Sequence, residues 1–287
     1  MSTPAGGASM AHPTDYRPPQ RSGGAKVRDW FGRNLIRIYA VIAFVYLLLP
    51  VAYTFAFSFN DAGRSNLTWE GFTFKNWLNP CGAPEVCPSL VNSLAIGFVV
   101  TLVATILGTL IAFSLVRYRF RGRSTTNLLI FLPMATPEVV MGSSLLALFL
   151  NLFVPLGFVT IVIAHIMFCI SFVVVTVKAR LASLDPRLEQ AAMDLYADER
   201  AAFRRITLPL VAPGIAAAGL LAFSLSFDDF IITNFNSGQF VTFPKFIYVS
   251  ANRGIPPQAN VWASAMFIVA LAIVLISQAV GRRRKER

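Results

Sequence analysis

The chain has 287 residues, 55% of them hydrophobic and 14% charged, with 25 Phe and a formal net charge of +11. A soluble domain carries about a quarter of its residues as Asp, Glu, Lys and Arg. This chain has too little polar surface to cover a water-soluble globule, and it reads as an all-α integral membrane protein. The basic excess does not point to nucleic acid, because the charges fall in short clusters between apolar runs.

Residues 1 to 32 are rich in Pro, Gly and Ser and carry Arg17, Arg21, Lys26 and Arg28, the composition of a disordered basic tail. The first apolar run starts too far in, and is too long, for a secretory signal. Six apolar stretches follow, each close to the roughly 20 residues that a spanning helix needs. They are Leu35–Phe57, Val91–Val116, Leu128–Val154, Val159–Val177, Leu210–Phe227 and Val261–Val280, within a membrane domain of residues 33–280. The third contains Pro133 and Pro137 and is expected to be kinked or interrupted. Gly97, Gly108, Gly142 and the stretch Ala216 to Gly219 permit close helix–helix approach.

With both ends on the cytoplasmic side, every Lys and Arg except Arg64, Lys75, Lys245 and Arg253 falls in a cytoplasmic segment, including the basic tail of residues 281–287. That asymmetry predicts six spans with N- and C-termini inside. The longer outer loops, about Asn60–Leu90 and Ile231–Asn260, read either as small caps or a docking surface, or as plain connectors. Cys81 and Cys87 fall in the first of these, on the side where disulfides persist; they can bridge or stay free.

Three acids lie in or beside spans: Glu138, just after Pro137, and the pair Asp228–Asp229 at the outer end of the fifth. An acid facing lipid costs several kcal/mol, so such residues face a cavity or a partner. One reading has them lining the path of a cationic solute. Another makes the Asp pair interfacial and Glu138 a cap on the broken helix. The chain has no G-x-x-x-x-G-K-[ST] phosphate cradle, no catalytic triad motif and no paired Cys/His set for a metal. His165, alone in the fourth span, reads as a packed or hydrogen-bonded helix residue.

Between the fourth and fifth spans, residues 178–208 form a charged segment with helical periodicity. Asp185-Pro186 marks a helix start, and Leu188, Ala191, Ala192 and Leu195 give an apolar face. Asp198 can cap a second short helix. By physics alone such a pair is either an interfacial anchor or a knob for a partner's groove. The segment resembles the EAA loop of membrane subunits of ABC importers that work with a soluble binding protein. In that family E-A-A, three residues and Gly precede I-x-L-P. Here Gln190-Ala191-Ala192, Asp194-Leu195, Phe203, Ile206 and Leu208-Pro209 stand at matching spacing. Glu189 falls one place before the motif glutamate, and Tyr196 takes the place of the motif glycine. If that turn needs a positive φ, tyrosine carries a steric cost that glycine would not.

The stretches Pro137 to Phe149 and Phe223 to Phe235 are similar to polyamine permease subunits of these importers. The resemblance implies the type I importer permease architecture, a multi-pass place in the bacterial plasma membrane, and uptake of spermidine, putrescine or a related small cation. It also implies two ABC ATPase subunits that grip the coupling loop within Leu184–Ile215, a second and different permease chain, and an extracytoplasmic solute-binding protein. ATP and Mg would sit on the partner ATPase, with no cofactor on this chain. The rival class is an ion-gradient-driven secondary carrier that uses Glu138, Asp228 and Asp229; the absence of an internal repeat argues mildly against it. A non-transporting scaffold leaves the acids in the spans unexplained.

Overall fold

The computed structural model describes residues 23–63, 66–185, 187–252 and 254–285. Arg17, Arg21, Arg64, Pro186, Arg253 and Arg287 lie outside the described residues, as do the side chains of Lys26, Arg28, Arg33, Arg282, Arg283, Arg284 and Lys285. The chain divides into two units, Met1–Tyr53 and Thr54–Arg287.

The first unit is represented by helix α1 (Gly23–Phe57), whose last turn belongs to the second unit. Its apolar side chains, Leu35, Ile36, Val41 and Phe44 among them, are exposed. The helix reaches back into the segment expected to be a tail. No proline lies between Gly23 and Leu49, so nothing interrupts the backbone ladder once it has started.

The second unit continues with α2 (Lys75–Leu78), α3 (Val86–Arg117), α4 (Arg123–Ala135), α5 (Glu138–Asn151) and α6 (Phe158–Ala182). After these come α7 (Arg187–Asp194), α8 (Glu199–Ala202), a five-residue π turn (Phe203–Thr207) and α9 (Leu208–Asp228). The chain ends with α10 (Ile231–Asn236), α11 (Phe243–Ala251) and α12 (Pro257–Lys285). Among the described residues five helical segments are long and apolar enough to cross a membrane: α1, α3, α6, the run Glu199–Asp228, and α12. Helices α4 and α5 meet the same test as a pair, bent by 107°. The bend sits where the sequence places it. Thr136 is extended (φ −83°, ψ 132°) before Pro137, which has no N–H to continue the ladder and excludes the helical region for its predecessor.

Helices α3, α6 and α9 form the core. Ile96, Val100 and Ala104 of α3, Ile161, Phe168 and Val173 of α6, and Val211, Ala218 and Ala222 of α9 are buried together. Gly108 sets the α3–α6 distance: a Cβ there would lie 2.6 Å from Val173 Cγ1 and 3.3 Å from the Ile170 carbonyl. A second cluster (Val86, Leu90, Phe243, Phe246, Ala259) joins the start of α3 to α11 and α12.

The segment after α1 is a small hydrogen-bonded cap. Asn60 Nδ2 donates to Asn66 Oδ1 (2.7 Å) and to the Thr68 carbonyl (2.6 Å), while its Oδ1 accepts from Glu70 N (2.8 Å). Asn76 Nδ2 donates to the Asn60 carbonyl at 2.8 Å. Asn66 N donates to the Ile255 carbonyl at 3.0 Å, which ties the first long outer loop to the second. Cys81 and Cys87 are joined by a disulfide, and Trp262 Nε1 donates to the Pro80 carbonyl beside it at 3.1 Å. On α11, Lys245 Nζ donates to Ser237 Oγ (2.7 Å) and the Gly238 carbonyl (2.8 Å), and burial lowers its pKa.

Candidate coupling loop and solute path

Between α6 and α9 the chain folds as a helix–turn–helix. Asp185 Oδ1 accepts from Arg187 N (2.9 Å) and caps α7. Asp198 Oδ1 accepts from Ala201 N (2.8 Å) and caps α8. The intervening turn is closed by Leu195 N and Ala197 N, both donating to the Ala192 carbonyl at 3.1 Å, and by Tyr196 N donating to the Met193 carbonyl at 3.0 Å. The turn does need a left-handed residue: Tyr196 has φ +64°. A non-glycine residue there carries about 1–2 kcal/mol of steric strain.

The residues expected in the loop divide into two sets. Gln190, Ala191, Asp194 and Tyr196 are exposed, and Leu208 and Pro209 partly line the start of α9 on its exposed side. Glu189, Ala192, Phe203 and Ile206 are half-buried. Glu189 Oε1 accepts from Arg117 Nη2, at the end of α3, and from Thr207 Oγ1, in the π turn. The Arg117 guanidinium also lies over the rings of Phe113 (5.9 Å) and Phe203 (5.4 Å), which pack edge to face. A cavity of about 230 Å³ opens beneath, lined by Val116, Leu184, Leu188, Ile206 and the Arg117–Glu189 pair. Arg180 of α6 donates to the Leu210 carbonyl (2.8 and 3.0 Å), tying the same end of α6 to α9. The loop is thus bonded to α3 through Glu189 and Arg117 and runs through the π turn into α9, which Arg180 ties to α6. Arg117 was not singled out from sequence; its place at the end of an apolar run, opposite a charged loop, was the available signal.

At the other end of α9, about 30 Å away for 21 residues at 1.5 Å each, lie the three acids. Glu138 opens α5 just after the break at Pro137. Glu138 and Asp228 are exposed. Asp229 is 9% exposed and its carboxylate is engaged. Oδ2 accepts from Thr233 N (2.8 Å) and faces His165 Nε2 (3.1 Å); Oδ1 lies 3.4 Å from Ile232 N. His165 in turn meets Ser226 Oγ through Nδ1 (2.9 Å) and Thr233 Oγ1 through Nε2 (3.0 Å). This polar knot fastens α6 to the α9–α10 break. Next to it Asn236 Nδ2 donates to the Gly142 carbonyl (3.2 Å), where an added Cβ would lie 2.9 Å from Phe235 Cδ2. The two helix breaks, after Thr136 and after Asp228, are thereby held together with Glu138 and Asp228 uncovered. Among the described residues no group of His, Cys, Asp and Glu is arranged to hold a metal ion.

Residues 87–283 match the family model described as "Binding-protein-dependent transport system inner membrane component". The chain belongs to this family. It is 35% identical over 243 residues to the spermidine/putrescine transport system permease protein PotC of Haemophilus influenzae, covering 84% of this chain and 94% of that one. It is 36% identical over 252 residues to PotC of Escherichia coli K12 (88% and 95% covered). Against the putrescine transport system permease protein PotI of the same strain, identity is 36% over 243 residues (82% and 85% covered). A solved bacterial ABC transporter involved in the import of the acidic polysaccharide alginate aligns with TM-score 0.62 at 16% identity, over 90% of this chain and 99% of that one. The alginate transporter in complex with its pentasaccharide-bound periplasmic protein gives 0.62 at 18% identity, over 92% and 98%. At such identities the likeness carries the fold, which is that of type I ABC importer permeases.

Proposed function

We propose that this chain is one of two permease subunits of an ATP-driven importer for spermidine, putrescine or a closely related small polycation. The observation that carries the reading is the attachment of the loop: an exposed helix–turn–helix bonded through Glu189 to Arg117 of α3 and continuous through the π turn with α9, which Arg180 ties to α6. Force applied at its tip reaches α3, α6 and α9 together. Because the sequence holds no phosphate cradle, the force comes from ATPase subunits on the cytoplasmic side, where the basic-residue asymmetry puts both termini. A different permease chain completes the path, and an extracytoplasmic binding protein delivers solute to the outer caps.

Polyamine as the substrate rests on the identity to PotC and PotI across nearly the whole chain. It is consistent with the uncovered acids Glu138 and Asp228, which attract ammonium groups. Asp229 positions the break between α9 and α10 rather than meeting solute. The test is uptake of labelled spermidine by the complex recovered from its native membrane and placed in vesicles. ATP supplied on the ATPase side drives uptake, and collapse of ion gradients leaves it intact. Uptake that follows the gradient and ignores ATP would move the chain to the secondary carriers.

A further inference from the structure

The tip of the coupling loop combines features that the chain's own packing does not reward. Tyr196 holds a left-handed backbone (φ +64°), where glycine rests without strain and tyrosine does not. Such strain persists only where something compensates it. Among the described residues nothing does, for the Tyr196 side chain is fully exposed and Leu195 before it is 81% exposed. The tip is nonetheless rigid: three backbone hydrogen bonds close the turn and the Asp198 cap follows at once. The backbone therefore fixes where the Tyr196 side chain leaves the tip, the ring turning on two rotatable bonds, with Leu195 and the exposed Met193 and Leu188 close in sequence. The turn itself is acidic, and the exposed Arg200 follows it. Asp194, Asp198 and Glu199 are exposed, and residues 193 to 199 contain no Lys or Arg.

We infer that Tyr196 is the anchor by which this chain selects its ATPase subunit: the ring enters an apolar pocket on the ATPase surface whose rim is basic. This rests on the docking reading above and adds to it a specificity-determining residue. The partner must supply apolar walls for Tyr196 and Leu195 and positive charge opposite Asp194, Asp198 and Glu199. Aromatic side chains that fill a desolvated pocket dominate interface energetics, and a flanking charge ring mainly sets partner choice and association rate. An ATPase shaped for a loop with glycine at this position lacks the pocket and is rejected by the ring.

The test uses full-length chain in nanodiscs and the ATPase subunit that co-purifies with it, with affinity read by biolayer interferometry. Tyr196→Phe keeps Kd within about 3-fold. Tyr196→Gly and Tyr196→Asn, both of which suit a left-handed turn while removing the ring, each weaken binding by about 30-fold, as expected for a buried tyrosine anchor. Raising salt weakens the wild-type complex. The inference is overturned if Tyr196→Gly and Tyr196→Asn both bind within about 3-fold of wild type. If Ala192→Asp abolishes binding while those two do not, the loop still docks and only the anchor falls. If the wild-type chain fails to bind the ATPase at all, the docking reading falls with it.

Discussion

Asp228 and Asp229 are adjacent in sequence and opposite in circumstance, and separating them is the sharpest test of the site. Replacing Asp229 with Leu removes the acceptor for Thr233 N (2.8 Å) and the partner of His165 Nε2 (3.1 Å). Both groups are buried. An unsatisfied buried donor costs about 1–3 kcal/mol, and the Thr233 N–H and the His165 ring both lose their partner. A loss of about 3 kcal/mol or more in the free energy of unfolding follows. Asp228→Asn touches an exposed carboxylate and should alter stability by less than about 0.5 kcal/mol. Its effect belongs to the solute: an exposed charge pair is worth up to about 1 kcal/mol, so KM for spermidine rises about 2- to 5-fold with kcat little changed. Reversible unfolding in mixed micelles measures the first effect, and vesicle uptake at matched protein level measures the second. The reasoning is refuted if Asp229→Leu costs less than about 1 kcal/mol, or if Asp228→Asn destabilises as much as Asp229→Leu.

Arg117→Ala and Glu189→Ala should each keep ATP hydrolysis by the assembled complex while lowering solute moved per ATP, since each cuts the link from loop to α3; a double variant no worse than either single one would identify them as one unit. A pair of variants with unchanged coupling would remove the strut from the mechanism. Gly108→Val puts side-chain atoms where Val173 Cγ1 already stands, 2.6 Å from the Cβ position, and is expected to cost about 1–3 kcal/mol, visible as a lower unfolding midpoint. Reduction of Cys81–Cys87, or Cys81→Ser, should lower stability by about 2 kcal/mol on the loop-entropy model for so short a loop, with the change confined to hydrogen exchange around residues 79–87 and Trp262. An unchanged exchange pattern there would argue that Trp262 and Asn66 alone hold the cap. Finally, Ala192→Asp places a charge on the half-buried side of α7 and should uncouple hydrolysis from uptake without unfolding the core, checked by both assays on the same vesicles.

Much of this protein can be read along the chain because a bilayer imposes a local rule. Each crossing needs its own run of apolar residues, so the runs around α1, α3, α6, α9 and α12 are visible one at a time. The break at Pro137 is equally local: proline acts on its immediate predecessor. The caps at Asp185 and Asp198 are short-range signals and appear in the structure as hydrogen bonds three residues long or less. The limits of the charged loop were less legible, since α6 runs on to Ala182 and helix resumes at Arg187 and again at Glu199, leaving little of it without helical structure.

What the chain order does not contain is which polar groups meet. His165 lies some sixty residues from Ser226, Asp229 and Thr233, and only the packing of α6 on α9 and α10 makes one knot of them. The same holds for Arg117 and Glu189, seventy-two residues apart. Composition marks Asp228 and Asp229 as equals; the tertiary structure buries one and exposes the other, because successive residues at a helix end point in different directions. Tyr196 belongs to both accounts. The family resemblance set it where the motif has glycine, and the structure decided that the turn is left-handed and the ring uncovered. Backbone sterics are a property of the single residue, whereas exposure depends on every element folded around it.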